Sequence, residues 1–249
     1  MCATLGIELT EIQGWVCCGA TPTASFDYEI SLGLGMKNLG MVNANDSIVT
    51  PCSACFKNLK NAEVHMKDIK AQTPNVRHLF QTIYDDVGLE IVKSKVVNPL
   101  KGLKVVSYYG CLLTRVDPRF DSPENPVKMD KLAVALGAEA LPFAYKMKCC
   151  GGPVILSKHD LSVTLAATIL KAAKATGAHA IMVLCPMCGT MLDLYQKEAL
   201  KGGEEGHIPI AYFTQLMALS FGLVPEDVAL SLNTVSSRPI FEALTGGGR

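Results

Sequence analysis

The chain has 249 residues, enough for one large or two modest domains, and its 49% hydrophobic content excludes intrinsic disorder. Lys plus Arg equals Asp plus Glu at 23 each, so no excess positive charge favours nucleic acid or an anionic membrane. No apolar run of about 18 residues predicts a membrane-spanning helix, and the first residues, MCATLGIELTEIQGW, show no signal-peptide features, so neither direct membrane insertion nor export is expected.

In chain order, residues 7–12 predict a strand, 28–41 a helix, 47–50 a strand and 54–69 a helix. Thr73-Pro74 and Val97-Asn98-Pro99 break the chain. Residues 102–109 (GLKVVSYY) predict a buried strand ending at Gly110-Cys111, and 127–136 a helix opened by Asn125-Pro126. A strand over 138–144, a helix over 160–176 closed by Gly177, a strand over 178–184 and a helix over 187–199 follow. The tail from Thr234 reads as loose. Strands alternating with helices indicate an α/β fold with parallel βαβ units.

The cysteines carry a second level of order. Cys149-Cys150 leads into Gly151-Gly152, 34 residues separate Cys150 from Cys185-Pro186-Met187-Cys188, and Cys111 stands upstream. The first half repeats most of this: Cys17-Cys18-Gly19, then Cys52-Ser53-Ala54-Cys55, with 33 residues between Cys18 and Cys52. Leu5-Gly6-Ile7-Glu8 precedes the first pair as Leu136-Gly137-Ala138-Glu139 precedes the second. Parallel landmarks at near-equal spacings imply an internal duplication. The expected domains are 1–98 and 99–249, similar in fold, each a small parallel sheet with flanking helices, and related by a pseudo-two-fold axis. A counterpart of Cys111 in the first copy would fall about 20 positions before Met1. Either a segment upstream supplies it, which the repeat favours, or the first copy lacks one ligand and its opening strand. Cys2 reads as a small apolar residue near a helix end.

Cys111, Cys149, Cys150 and Cys185 each follow a predicted strand, at the sheet edge where open α/β folds bind ligands. Ten cysteines without a secretory signal suit a reducing, cytoplasmic compartment, where patterned thiols bind metal or do redox work. Cys-x-x-Cys at a helix start lets two sulfurs meet one metal site, with the helix N-terminus favouring thiolate. Adjacent thiols diverge and suit a larger inorganic core, while the following glycines allow amides to approach sulfur. Iron–sulfur is therefore the leading reading. Structural zinc and thiol–disulfide chemistry remain alternatives.

Tyr109-Gly110-Cys111, Lys148-Cys149-Cys150-Gly151-Gly152 and Cys185-Pro186-Met187-Cys188 resemble the cysteine-rich CCG domain. Its duplication over nearly the whole chain, with Asp121-Ser122-Pro123-Glu124-Asn125-Pro126, resembles the B subunit of heterodisulfide reductase. That resemblance implies non-cubane [4Fe-4S] clusters. Cys111, Cys149, Cys150, Cys185 and Cys188 would hold one; Cys17, Cys18, Cys52 and Cys55 would hold the other, one ligand short. It implies an oxidoreductase in which two facing clusters each pass one electron to the disulfide of small thiols such as coenzyme M and coenzyme B. It implies two partners, a flavin-containing A subunit and a ferredoxin-like C subunit, since no dinucleotide or ferredoxin motif stands in this chain. Arg115, Arg119 and Lys148 flank the cysteines and are candidates to attract an acidic substrate, or are surface charges. The rival functions are an electron-transfer subunit of a lactate, glycolate or succinate-oxidising complex, and a metal-stapled scaffold. His65 and His78 fall on predicted helices. Trp15 either shields a cluster or packs.

Overall fold

The computed structural model describes residues 1–20, 22–201 and 207–246. The chain divides into two compact units: Glu8–Asp86, and a larger one of Met1–Ile7 with Val87–Arg249. Both have parallel sheets flanked by helices, the α/β organisation that the sequence predicts.

The smaller unit runs α1 (Pro22–Phe26), α2 (Tyr28–Leu39), β1 (Ser47–Thr50), α3 (Ser53–Asp68), β2 (Asn75–His78) and α4 (Leu79–Gln81), which continues as a π-helical turn over Thr82–Val87. Asp27 caps α2 by accepting from the Ile30 amide. β1 and β2 pair in parallel, with Thr50 opposite His78. The strand expected over 7–12 does not form. Residues 8–11 are exposed, and the backbone there has no neighbouring strand to bond, so the alternation of apolar and polar residues has no ladder to join. His78, expected on a helix, ends β2 and caps α4.

The larger unit follows as α5 (Leu89–Ser94), β3 (Lys104–Tyr108), α6 (Leu112–Val116), α7 (Lys128–Ala135), β4 (Glu139–Ala140), α8 (His159–Ala175), β5 (Ala180–Val183), α9 (Pro186–Asp193), α10 (Gln196–Leu200), β6 (Ile210–Tyr212), α11 (Phe213–Ser220) and α12 (Arg238–Leu244). Its sheet has order β4-β3-β5-β6, all parallel. Val105, Val106, Ile181, Met182 and Val183 are fully buried, as expected of central strands covered on both faces. α8 packs Ala166, Ile169, Leu170 and Ala173 into this core.

Three expectations are corrected here. β4 is two residues long, because Leu141 makes the last ladder bond, to Val105, and Pro142 has no N–H to continue it. The helix over 187–199 breaks at Leu194-Tyr195. Gln196 turns inward, donating to Leu192 O and Ile208 O and accepting from the Ile208 amide, and so fixes the entry to β6. The tail is ordered by α12, whose Ile240 is buried, and by Asp193, which accepts from the Thr234 and Val235 amides; residues 247–249 lie outside the described residues.

The structure extends the duplication beyond what the cysteines revealed. β1 and β2 correspond to β5 and β6: Thr50 and Val183 each stand two residues before a Cys-x-x-Cys, and their sheet partners are His78 and Tyr212. Both partners open a helix whose glutamine caps back on them: Gln81 Oε1 accepts from the His78 amide and Gln215 Oε1 from the Tyr212 amide, each at 2.9 Å. Ten residues after each comes a positive-φ glycine, Gly88 or Gly222. The Leu-Gly landmarks match too, Gly6 and Gly137 both being left-handed.

Candidate functional site

In the larger unit, parallel strands deliver the thiols to one edge. β3 ends at Tyr108, and Cys111 follows as the residue opening α6; β5 ends beside it at Val183, and Cys185 opens α9. Cys149-Cys150 sits in the loop after β4. That loop is stitched to the end of β3: the Tyr109 and Gly110 amides donate to Lys146 O, at 3.0 and 3.1 Å, and the Tyr108 hydroxyl donates to Lys148 O at 2.6 Å. Lys146 is itself buried, its ammonium donating to Pro126 O at 3.0 Å and pairing with Asp130.

The five sulfurs fall into a hydrogen-bonded pair and a hydrogen-bonded trio. Cys111 is hydrogen-bonded to Cys149, Cys150 to Cys188, and Cys188 to Cys185. Cys149 is exposed; Cys150, Cys185 and Cys188 are buried. The Gly151 amide donates to Cys149 Sγ and the Gly152 amide to Cys150 Sγ, both at 3.4 Å. Only glycine permits this approach. Gly151 has φ +81°, and a Cβ there would lie 2.6 Å from Ser162 Cα; a Cβ on Gly152 would lie 2.8 Å from Met187 Sδ. The bond from Cys111, with help from the Gly151 amide and Arg115, outweighs burial and holds Cys149 down to about 6. Cys150 is lowered likewise by its bond with Cys188, and Cys188 is pushed well up by its bonds to Cys150 and Cys185 and by burial. Tyr108 lies among these sulfurs; burial first, then Cys188, Cys150, Cys111 and Cys149, keep its phenol protonated.

The smaller unit repeats the arrangement with four thiols. Cys52 caps α3 by accepting from the Cys55 amide, at 3.5 Å. Cys18 and Cys55 share a hydrogen bond with their sulfurs 3.1 Å apart, and that bond draws Cys18 down to about 7. Cys17 bonds to Cys18, and Cys52 to Cys55. Gly19, φ +74°, follows the pair as Gly151 does in the other unit.

An all-sulfur donor set with amides aimed at sulfur fits an iron–sulfur group in each unit. Among the described residues no three His, Cys, Asp or Glu side chains converge as one metal ion would require. The thiols are joined by hydrogen bonds, Cys188 to both Cys150 and Cys185 and Cys55 to both Cys18 and Cys52, and a polynuclear core shares such ligands among several metals.

The three candidate cations differ in their surroundings. Arg115 is exposed and acts on Cys111 and Cys149. Arg119 is engaged by Asp117, Nε to Oδ1 at 2.9 Å. Lys148 lies over the Tyr145 ring, 5.9 Å from its centre. Trp15 is exposed and donates to Glu11 at 2.8 Å. Asp121 of the Asp-Ser-Pro-Glu-Asn-Pro stretch accepts from the Tyr109 hydroxyl and from the Val127 and Lys128 amides, so that stretch ties the strand before Cys111 to α7. Sequence reasoning missed Tyr108, Ser31, Ser162, Asn38 and Asn58, single polar residues inside apolar or helical runs. The shared spacing of His78, Gln81 and Gly88 with Tyr212, Gln215 and Gly222 was the one signal that marks the second strand of each repeat.

The model of the cysteine-rich domain named CCG matches residues 2–60 and 105–193, well over half of the chain. The chain belongs to the CCG family. Both CCG matches end before the second strand of each repeat, so β2 and β6 lie outside the matched residues. The chain is 31% identical to the 8-methylmenaquinol:fumarate reductase membrane anchor subunit of Wolinella succinogenes, over 94% of this chain and 88% of that one. It is 28% identical to the B subunit of the ferredoxin/F420H2-dependent CoB-CoM heterodisulfide reductase of Methanosarcina acetivorans, over 94% and 85%. Among solved structures, a hypothetical protein from Helicobacter pylori has the same fold, with TM-score 0.68 at 12% identity, over 94% of this chain and 47% of that protein. No helix among the described residues is long and apolar enough to cross a membrane.

Proposed function

We propose that this chain is the iron–sulfur oxidoreductase subunit of a heterodisulfide reductase-type complex, and that its substrate is the disulfide of two small thiols. The observation that carries this reading is the edge of the larger unit, where five thiols meet and two sulfurs receive glycine amides. Cys111, Cys149, Cys150, Cys185 and Cys188 would hold one non-cubane [4Fe-4S] group; Cys17, Cys18, Cys52 and Cys55 would hold a second iron–sulfur group. When bound, such a group supplies electrons one at a time at a potential set by its surroundings. Gly151 and Gly152 spread the negative charge of the sulfurs onto amides, and the buried Tyr108 keeps water from their inner side. The exposed Cys149 with Arg115 and Lys148 forms the side open to an acidic thiol compound.

Reduction of R–S–S–R′ consumes two electrons and two protons and releases two thiols. The electrons come from partner subunits, a flavin-containing A subunit and a ferredoxin-like C subunit. The names of the two relatives, both subunits of reductases, support a multi-subunit setting. The test is anaerobic purification of the complex, metal and labile-sulfide analysis, and turnover of coenzyme M–coenzyme B disulfide with a reduced viologen. About eight irons per chain support two groups and four support one; zinc without iron refutes the reading. Cys150→Ala must lose iron from the second set.

The similarity to a fumarate reductase subunit favours a second reading, electron transfer in a complex with another terminal substrate. Full iron, no disulfide turnover and fumarate reduction by the complex would select it.

A further inference from the structure

The loop bearing Cys17-Cys18 is gripped by side-chain amides that have no counterpart among the described residues of the larger unit. Asn38, on α2, brackets the residue before the pair: its Nδ2 donates to Val16 O at 3.0 Å, and its Oδ1 accepts from the Val16 amide at 2.9 Å. Asn58, on α3, holds the other side. Its Nδ2 donates to Cys18 O and, at 3.1 Å, to Ser31 O, while its Oδ1 accepts from the Ser31 hydroxyl at 3.0 Å. Ser31 Oγ also lies 2.7 Å from Gly19 O. Both asparagines are 5% exposed and Ser31 is fully buried. A buried amide with its donors and acceptor all engaged resists displacement, because any shift strands a polar atom.

The larger unit holds the same carbonyls differently. Lys148 O, the counterpart of Val16 O, accepts from the Tyr108 hydroxyl, and Ser162 Oγ lies 2.9 Å from Gly151 O as Ser31 Oγ lies 2.7 Å from Gly19 O. The counterpart of Asn58, six residues after the first cysteine of Cys-x-x-Cys, is Met191, which packs near Gly152. Seven residues beyond the paired serines, Asn38 is matched by the buried Ile169.

We propose that Asn38 and Asn58 are positioning residues of the first thiol set, a polar clamp that fixes the backbone on either side of Cys17 and so aims Cys18 Sγ at Cys55. The second set gets the same service from Tyr108 and apolar packing. This rests on the reading of the thiols as ligands of an iron–sulfur group, and it makes the two sets unequal in what holds them.

The test uses full-length Asn58→Leu and Asn38→Leu, confirmed folded by circular dichroism. In chelator-treated protein, iodoacetamide alkylation is followed cysteine by cysteine by mass spectrometry. Cys17 and Cys18 should change rate by roughly three- to tenfold, the equivalent of one buried hydrogen bond, while Cys149 and Cys150 keep parental rates. In anaerobically reconstituted protein, iron should fall by the share that the first set holds. A general loss of stability would shift all cysteines together. Folded variants with parental alkylation at Cys17 and Cys18 would overturn the proposal. A parent that takes up no iron would defeat the cluster reading, and the alkylation result would still decide the clamp. Should Asn58→Leu fail to fold, Asn58→Met, which installs the residue of the other unit, and Ser31→Ala carry the same readout.

Discussion

Gly110 and Cys188 touch at the heart of the second thiol set: a Cβ on Gly110 would stand 2.8 Å from Cys188 Sγ, and Gly110 has φ +69°. Backbone strain and steric conflict thus act on one residue. Gly110→Ala is expected to cost about 1–3 kcal/mol of stability and to displace Cys188. Thermal unfolding measures the first effect. Iron content measures the second, and a stable variant with parental iron would show that Cys188 has room to move.

A size exchange separates the two repeats. His78 packs edge-on against Phe56, with ring centres 6.1 Å apart; at the equivalent place Tyr212 meets Gly189, where a Cβ would lie 2.7 Å from Tyr212 Cζ. Gly189→Ala should destabilise by about 1–3 kcal/mol, the usual cost of overpacking. Tyr212→His should recover part of that loss when combined with it. A double-mutant cycle by chemical denaturation checks the coupling, and strict additivity would count against direct packing.

Glu63 joins α3 to β2. Its carboxylate is 1% exposed, accepts from the Val76 amide at 3.3 Å, and pairs with Lys60 at 2.6 Å and with Lys67. Burial works against its charge, but the two ammonium groups prevail and its pKa is lowered from 4.5. The linked stability is therefore complete above the ordinary carboxylate range and is lost as pH falls through the lower native value. Glu63→Ala should cost about 3 kcal/mol at neutral pH, since it leaves the partly buried Lys60 without its carboxylate. Denaturation at pH 7 and at pH 3–4 should show the difference between parent and variant shrinking in acid.

Cys149 should behave as a thiolate in metal-free protein, its alkylation rate rising through a midpoint near 6. Arg115→Ala should move that midpoint upward, so that less thiolate is present at pH 6. Cys111→Ala should move it further, because the bond from Cys111 is the larger influence. The iron content of Arg115→Ala should stay parental while its affinity for an acidic disulfide weakens. Unchanged affinity would return Arg115 to the role of a surface charge.

The thiol pattern and the strands leading into it were legible because they are local: a buried run such as KVVSYY ends where Cys111 begins, and Gly151 is needed beside a sulfur. The strand over 7–12 failed because alternation alone does not supply a neighbouring strand. β2 and β6 were missed because four- and three-residue strands carry almost no pattern, and their identity lies in pairing with β1 and β5. Tyr108 looked like one more apolar strand residue, and Asn38 and Asn58 like ordinary helix polars. What distinguishes them is a carbonyl reached across 22 to 40 residues of chain, a relation that only folding creates.

Adjacent residues in an extended loop turn opposite ways, and Cys149 and Cys150 do so across the boundary of the core, one exposed and the other 4% exposed. Any guest held by both therefore has a wet flank and a dry flank. Oxygen, chelators and electrophiles reach the outer sulfur first, so decay of the centre should follow a fixed order, opening at Cys149 while Cys150, Cys185 and Cys188 still hold.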